Sequence, residues 1–252
     1  MVRAGLRLAH RRVRVNIFDR LTRRLVAPSL RRWWRRRERV DLGDLRRSEP
    51  VSRLFGAERG LPIDRHYIEQ FLSEHASLIR GRALEVADRS YTTRFGADRV
   101  TTSDVLHATS GNASATIVGN LETGAGIPLG AFDAVILTQV LMCTFDLPAV
   151  VRTIHGMLAP GGSALITVPS ISAISRYDAD RWGDYWRFTE QSAARLFERE
   201  FGAANVHVQS FGNALVAHAF LAGMATEELR AHELAAQDRD YPIVVAVVAT
   251  RR

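Results

Sequence analysis

The 252-residue sequence has no lysine and a single cysteine, Cys143. One thiol excludes an intrachain disulfide framework and a cysteine-based zinc cluster, and it agrees with a reducing compartment. The missing lysine, beside abundant alanine and arginine, reads as the coding bias of a GC-rich genome. Arginine content alone therefore says little about function. Long apolar runs are lacking as well. The longest candidate, "ALVAHAFLAGMA" from Ala214, spans 12 residues and contains a histidine, whereas a membrane-spanning helix needs about 18 or more. Arginines begin at position 3 with no apolar stretch behind them, so no secretory leader is expected.

What is present is globular in composition: 46% hydrophobic and 24% charged residues, enough to bury a sizeable core. The charge is unevenly placed. Residues 1–47 hold 16 arginines against Asp19, Glu38, Asp41 and Asp44, a net +12, while the whole chain is +7. A mildly acidic body thus follows a strongly basic arm. The expected division is an arm over 1–47, amphipathic or disordered, and one domain over 48–252. Within the arm Val15, Ile17, Phe18, Leu21, Leu25 and Val26 recur at roughly helical spacing among arginines, and Trp33 and Trp34 sit inside "RRWWRRR". Indole and guanidinium together suit an anionic membrane surface through residues 1–40. The same composition suits a nucleic-acid backbone, a weaker reading here, or a solvated tail.

Beyond the arm, short apolar segments alternate with helical or loop crossovers. Strands are expected at 82–87, 98–106, 115–121, 132–140, 163–170, 204–213 and 241–250. Helices are expected after Asp64 as a cap, over 147–162, and over 189–202 with Thr189 as cap. This alternation predicts an α/β doubly wound, mainly parallel sheet. In such sheets the ligand lies beyond the carboxyl ends of the strands, at the point where strand order reverses. The residues to watch follow strands one to five. Asp104, after strand two, can accept hydrogen bonds from ribose hydroxyls, with Val105 or Leu106 on an adenine face. In "GNL" the amide of Asn120 can pair an adenine edge, with Leu121 beside it. Thr138 and Gln139 face the cleft after strand four.

The pattern "LEVA…SDVL…IVGNL…FDAVILTQVL…IHGMLAPGGSALITVPS" resembles the class I methyltransferases that use S-adenosyl-L-methionine (SAM). "GMLAPGG" is its most specific piece. The segment "RYDADRWGDYWRFTEQSAARLFE" is similar to a block found after strand five in methyltransferases of sugar, polysaccharide and cell-envelope gene clusters. The resemblance covers roughly 200 residues and omits the arm. It implies a Rossmann-like sheet of seven strands and SAM as cofactor. The departure lies in "ALEVADRSYTTRFG". The family's first loop runs acidic–x–Gly–x–Gly–x–Gly, whose glycines let the backbone approach the cofactor. Here Glu85 holds the acidic position, but Ala87, Arg89 and Tyr91 replace the glycines, and the only glycine in that stretch is Gly96, eleven residues after Glu85. Two readings stay open. Either the loop is rebuilt, with Asp88 or Ser90 on the amino-acid part and Tyr91 beside the sulfonium, or bulk closes the pocket and the domain is a non-catalytic binding module partnering a glycosyltransferase or another glycan-assembly enzyme.

For the enzyme, the acceptor is expected to be a hydroxyl of a sugar or lipid-linked glycan, made at the cytoplasmic face of the cell membrane. An oxygen acceptor needs a base. Asp184 and Asp178 are the first candidates and His107 the next. Tyr177, Arg181, Trp182, Tyr185 and Arg187 form the expected substrate surface, while Trp186 and Phe188 are expected to pack the sheet edge. No metal is expected, since three aspartates on one loop more often cap it. Arg53, Arg59 and Arg65 are available to an anion or remain surface charge.

Overall fold

The computed structural model describes Gly43 and residues 46–252. The amphipathic reading of the arm lies outside the described residues. The unit Glu49–Arg252 contains the sheet. Its strands are β1 (Gly81–Val86), β2 (Val100–His107), β3 (Ile117–Val118), β4 (Phe132–Thr138), β5 (Leu158–Pro169), β6 (Val206–Phe211) and β7 (Val244–Thr250). They lie in the order β3-β2-β1-β4-β5-β7-β6. Only the pairs made by β7 are antiparallel. The order reverses between β1 and β4.

The strands read as unbroken apolar runs because both faces are covered. Val135 and Leu137 of β4 face one core with α2 (Leu147–Met157), while Ile136 faces another with α1 (Ile63–Glu74). In the first core Val150, Val151, Ile154 and Met157 of α2 meet Phe197 of the later helix Glu190–Phe201. In the second, Tyr67, Ile68 and Phe71 of α1 pack with Phe220. The remaining helices are α3 (Arg176–Ala179), α4 (Glu190–Phe201), α5 (Ala214–Ala222) and α6 (Ala231–Ala235). The apolar run from Ala214 is thus the nine-residue α5, buried on the face of Val216, Ala217, Ala219 and Phe220, capped by Asn213 and ended by left-handed Gly223. Among the described residues no helix is long and apolar enough to cross a membrane.

Several expected boundaries move, each for a local reason. α2 stops at Met157 rather than 162, because the proline at 160 bars its predecessor from helical backbone. β3 shrinks to two residues because Asn120 Oδ1 accepts the amides of Glu122 and Thr123 and turns the chain away. Asp64 does not cap α1. Pro62 holds that position, and Asp64 lies in the first turn and accepts the amide of Arg65. Thr189 does cap α4, in a reciprocal box with Ser192. The crossover from β1 to β2 is no full helix but a helical turn continued as a π-helical turn, Thr92–Gly96. Gly96 takes part in packing only. Its φ is −77°, and a Cβ there would lie 2.4 Å from Val100 and 2.9 Å from Ile79.

Candidate active site

The turn after β1 shows what replaces the missing glycines. Ala87 takes φ +74°, the left-handed backbone that favours glycine and costs an alanine about 1 kcal/mol. Its amide donates to the Leu106 carbonyl at 3.0 Å. Glu85 is buried and faces the loop itself: its carboxylate accepts the amides of Tyr91 (3.2 Å) and Thr92 (2.7 Å). Burial raises its pKa, and those amide bonds offset part of the rise. The acidic position thus fixes the turn, and the turn keeps a glycine-like shape without glycine. Ala87→Gly should therefore relieve strain and raise Tm by about 2–4 °C, offset in part by the freer unfolded chain. A melting temperature at or below wild type would mean that the turn is unstrained.

Beyond the strand ends lies a cleft of about 830 Å³. Glu85, Ala87, Asp88 and Tyr91 line it from β1, Leu106 and His107 from β2, and Asn120 and Leu121 from the turn after β3. Thr138 and Gln139 close it after β4, and Tyr177, Asp178, Trp182 and Tyr185 stand across from them. Gln139 carries φ +56°, so the cleft meets left-handed non-glycine backbone at both strands flanking the reversal of sheet order. Arg65 of α1 completes the wall, its Nη1 donating to Tyr91 Oη at 3.4 Å. Arg59 instead pairs Glu228, and exposed Arg53 lies 3.9 Å from Glu49.

Five of the expected site residues fall elsewhere. Asp104 lies inside β2, three residues before its end. Its carboxylate accepts from Arg82 Nε and Thr116 Oγ1, each at 2.7 Å. It ties β2 to β1 and does not face the cleft, and Val105 beside it is fully buried. The residue at the end of β2 is His107, with Nδ1 2.8 Å from the Thr109 carbonyl and its ring edge-on to Trp182 at 5.5 Å. Asp184 is no free base. Its side chain is 1% exposed, and it accepts from Arg187 Nη1 (2.5 Å), Arg187 Nη2 (3.0 Å) and the Ser175 amide (3.0 Å). Burial raises its pKa, but the Arg187 and Ser175 bonds outweigh that and bring it below its ordinary value. Arg187 also donates to the Ala173 and Trp186 carbonyls, so it buckles the loop rather than meeting substrate. Arg181 is not among the residues that line the cleft; its guanidinium lies over the Tyr177 ring, 3.8 Å from the centroid.

The remaining carboxylates can be sorted by their partners. Glu69 pairs Arg94, Glu85 holds amides, Asp88 accepts the Ser90 amide, and Glu122 accepts the Phe145 amide. Asp178 alone among the cleft carboxylates has no side-chain hydrogen bond to a described residue. Its own amide and carbonyl anchor the surrounding turn through Ser175 Oγ, Arg181, Trp182 and Gly183. Among the described residues no cluster could hold a metal ion.

An aromatic rim surrounds the mouth. Tyr177 is 65%, Tyr185 51% and Trp182 38% exposed, and Phe145, at 66%, meets Tyr185 edge-on at 5.4 Å. Trp186 instead packs inward and donates to the Thr144 carbonyl, and Phe188 is buried with its amide on Pro169 of β5, so the two pack against the core beside an interior strand and not at the sheet edge. The sequence reading missed Phe145 and Cys143. The only signal for Phe145 is a large aromatic just before the Asp146 cap of α2. The Cys143 thiol is pushed up to about 12, by burial first and then by the charges of Asp178 and Asp184, so it stays protonated and is no nucleophile.

The family described as "Methyltransferase domain" matches residues 65–208. No curated relative matches the chain. A solved S-adenosylmethionine-dependent methyltransferase from Mesorhizobium loti shares 17% identity, with 75% of this chain and 98% of that chain covered and a TM-score of 0.50. A SAM-dependent methyltransferase from Archaeoglobus fulgidus shares 11% identity over 74% of this chain and 94% of that chain, TM-score 0.49. The N-methyltransferase NodS from Bradyrhizobium japonicum, solved with S-adenosyl-L-homocysteine, shares 14% identity over 82% and 95%, TM-score 0.48. At 17% identity the likeness to the Mesorhizobium loti structure concerns the fold alone.

Proposed function

The chain belongs to the methyltransferase-domain family, and from that premise we propose that its cleft holds SAM and directs a methyl group to a hydroxyl of a sugar or lipid-linked glycan. The carrying observation is the cleft itself. At about 830 Å³ it is large enough for a cofactor of this size, and Ala87 takes there the backbone conformation that a glycine would favour. Leu106 and Leu121 would flank the adenine, and the Asn120 amide, whose oxygen is engaged in the turn, would donate to its edge. His107 stands where a ribose-facing group belongs. Asp88, Ser90 and Tyr91 would meet the amino-acid part. When bound, SAM supplies the methyl as an electrophilic carbon, and the S–C bonding pair leaves with sulfur as S-adenosylhomocysteine.

The chain's own work is to hold the acceptor and take its proton. Exposed aromatic rings with nearby polar groups suit the apolar faces and hydroxyl edges of sugars. Asp178, unpartnered at the junction of cleft and rim, accepts the hydroxyl proton. Trp182 and Tyr185 shield the site from water.

Calorimetric titration of the full chain with S-adenosylhomocysteine tests the reading. Micromolar binding at one site is expected, unchanged in Asp104→Asn, whose side chain faces away. No binding would turn the reading toward a non-catalytic module that partners a glycan-assembly enzyme. The arm, with its net charge of +12 over residues 1–47, is proposed to hold the enzyme at an anionic membrane surface. Deleting residues 1–40 should abolish co-sedimentation with anionic vesicles, most clearly at low salt. Undiminished partition would reject that role.

A further inference from the structure

A second cavity of about 200 Å³ adjoins the large cleft and shares three lining residues with it, Arg65, Gln139 and Asp178. Its other flank is apolar, formed chiefly by Phe55 and Phe220, whose rings lie 5.7 Å apart and 31° from parallel. Its shared wall is polar and under-partnered. The Gln139 carboxamide and the Asp178 carboxylate have no side-chain hydrogen bond to a described residue, and the Arg65 guanidinium has one long bond, to Tyr91.

The backbone supports a built site. Among the described residues four non-glycines take left-handed φ, and two of them, Phe55 (+56°) and Gln139 (+56°), line this cavity. Such conformations cost about 1–2 kcal/mol each and persist where surrounding packing enforces them. Phe55 is held against Phe220, and the Gln139 amide is tied to the Thr167 carbonyl at 2.8 Å. The strain thus turns one aromatic face and one carboxamide into a single cavity.

Size and chemistry then select an occupant. At about 30 Å³ per water, the space is that of about seven waters, which is the room one hexose ring takes and less than two rings need. An aromatic flank faces the C–H side of a pyranose. Arginine, carboxamide and carboxylate are the planar groups that bridge neighbouring hydroxyls with paired bonds.

We propose that this side pocket is the acceptor site and takes a single terminal monosaccharide ring, its reacting hydroxyl at the Gln139–Asp178 wall. The proposal rests on the sugar reading given above and narrows it. The enzyme modifies a free sugar unit or the end of a glycan, with any following residue lying on the rim at Tyr177 and Tyr185.

The test is saturation-transfer NMR on the full chain with methyl α-glucopyranoside, methyl α-mannopyranoside and methyl α-rhamnopyranoside as probes, alongside S-adenosylhomocysteine calorimetry. Two variants act on the side pocket and not on the cleft. Ala173→Trp fills it from an exposed loop position. Phe55→Gly removes the aromatic face, and relief of the left-handed strain offsets part of the packing lost against Phe220. At least one glycoside should bind, and each variant should weaken it about tenfold or more while S-adenosylhomocysteine affinity stays put. Glycosides that fail to bind wild type, or that bind both variants equally, overturn the proposal. Glycoside binding that obeys the variants without any S-adenosylhomocysteine binding would keep the sugar pocket and sink the methyl-transfer reading instead.

Discussion

Asp178→Asn is expected to lower turnover by about 10²–10⁴-fold, the range of a lost general base, with S-adenosylhomocysteine affinity nearly unchanged. The reason is positional. Asp178 lines both the cleft and the side pocket, and its carboxylate is the one in the cleft with no side-chain hydrogen bond to a described residue, while the Arg65 charge faces it. The substitution is nearly isosteric. It keeps the amide bond to Ser175 Oγ and the carbonyl that accepts from Arg181, Trp182 and Gly183, so the turn should survive. Arg65 loses one facing charge but keeps Asp64 beside it. The measurement is S-adenosylhomocysteine release with the glycoside that binds best, read as kcat and KM separately. A fall in kcat at constant KM identifies the base. Turnover within threefold of wild type would move the role to another group, with His107 next in reach of the cleft.

Asp184→Ala should do the opposite: lose stability first. Its side chain is 1% exposed and accepts three hydrogen bonds, two from Arg187. Removing one member of such a pair strands the other and costs about 3 kcal/mol, or about 6–12 °C in Tm for a domain of this size. Arg187 then loses the partner that positions it on the Ala173 carbonyl, so the loop between β5 and α4 should become sensitive to proteolysis. The pH dependence carries a sign. The folded pKa of Asp184 lies below its ordinary value, so its contribution is complete above about pH 4 and is lost as pH falls through the folded value. Wild type should therefore lose stability on acidification more steeply than the variant. An unchanged Tm with lost turnover would make Asp184 a catalytic group after all.

These two aspartates lie six residues apart in one loop, and their types and spacing could not rank them. In the sequence Asp184 looked at least as good a base as Asp178. The fold separates them, because Arg187 folds back three residues onto Asp184 while Asp178 stands at the end of a single helical turn with its carboxylate turned to the cavities. The same limit explains Asp104. An acid near the end of a strand is legible, but whether it is the last residue or three before it is a matter of register. Here Leu84 pairs Asp104 and Val86 pairs Leu106, which leaves His107 at the rim.

The sequence by itself determined the alternation of strands and helices, the apolar character of strands buried on both faces, the Thr189 cap, and the first turn at Glu85 with its absent glycines. All of these are local: they follow from periodicity, capping chemistry and composition within a dozen residues. Only the tertiary structure decided that Ala87 adopts the glycine-like conformation, that Asp104, Asp184 and Arg187 serve the framework, and that Arg65, Gln139 and Asp178 line two adjoining cavities. Those three come from α1, the end of β4 and the loop after β5. Their meeting depends on strand order and backbone strain, which no stretch of sequence carries alone.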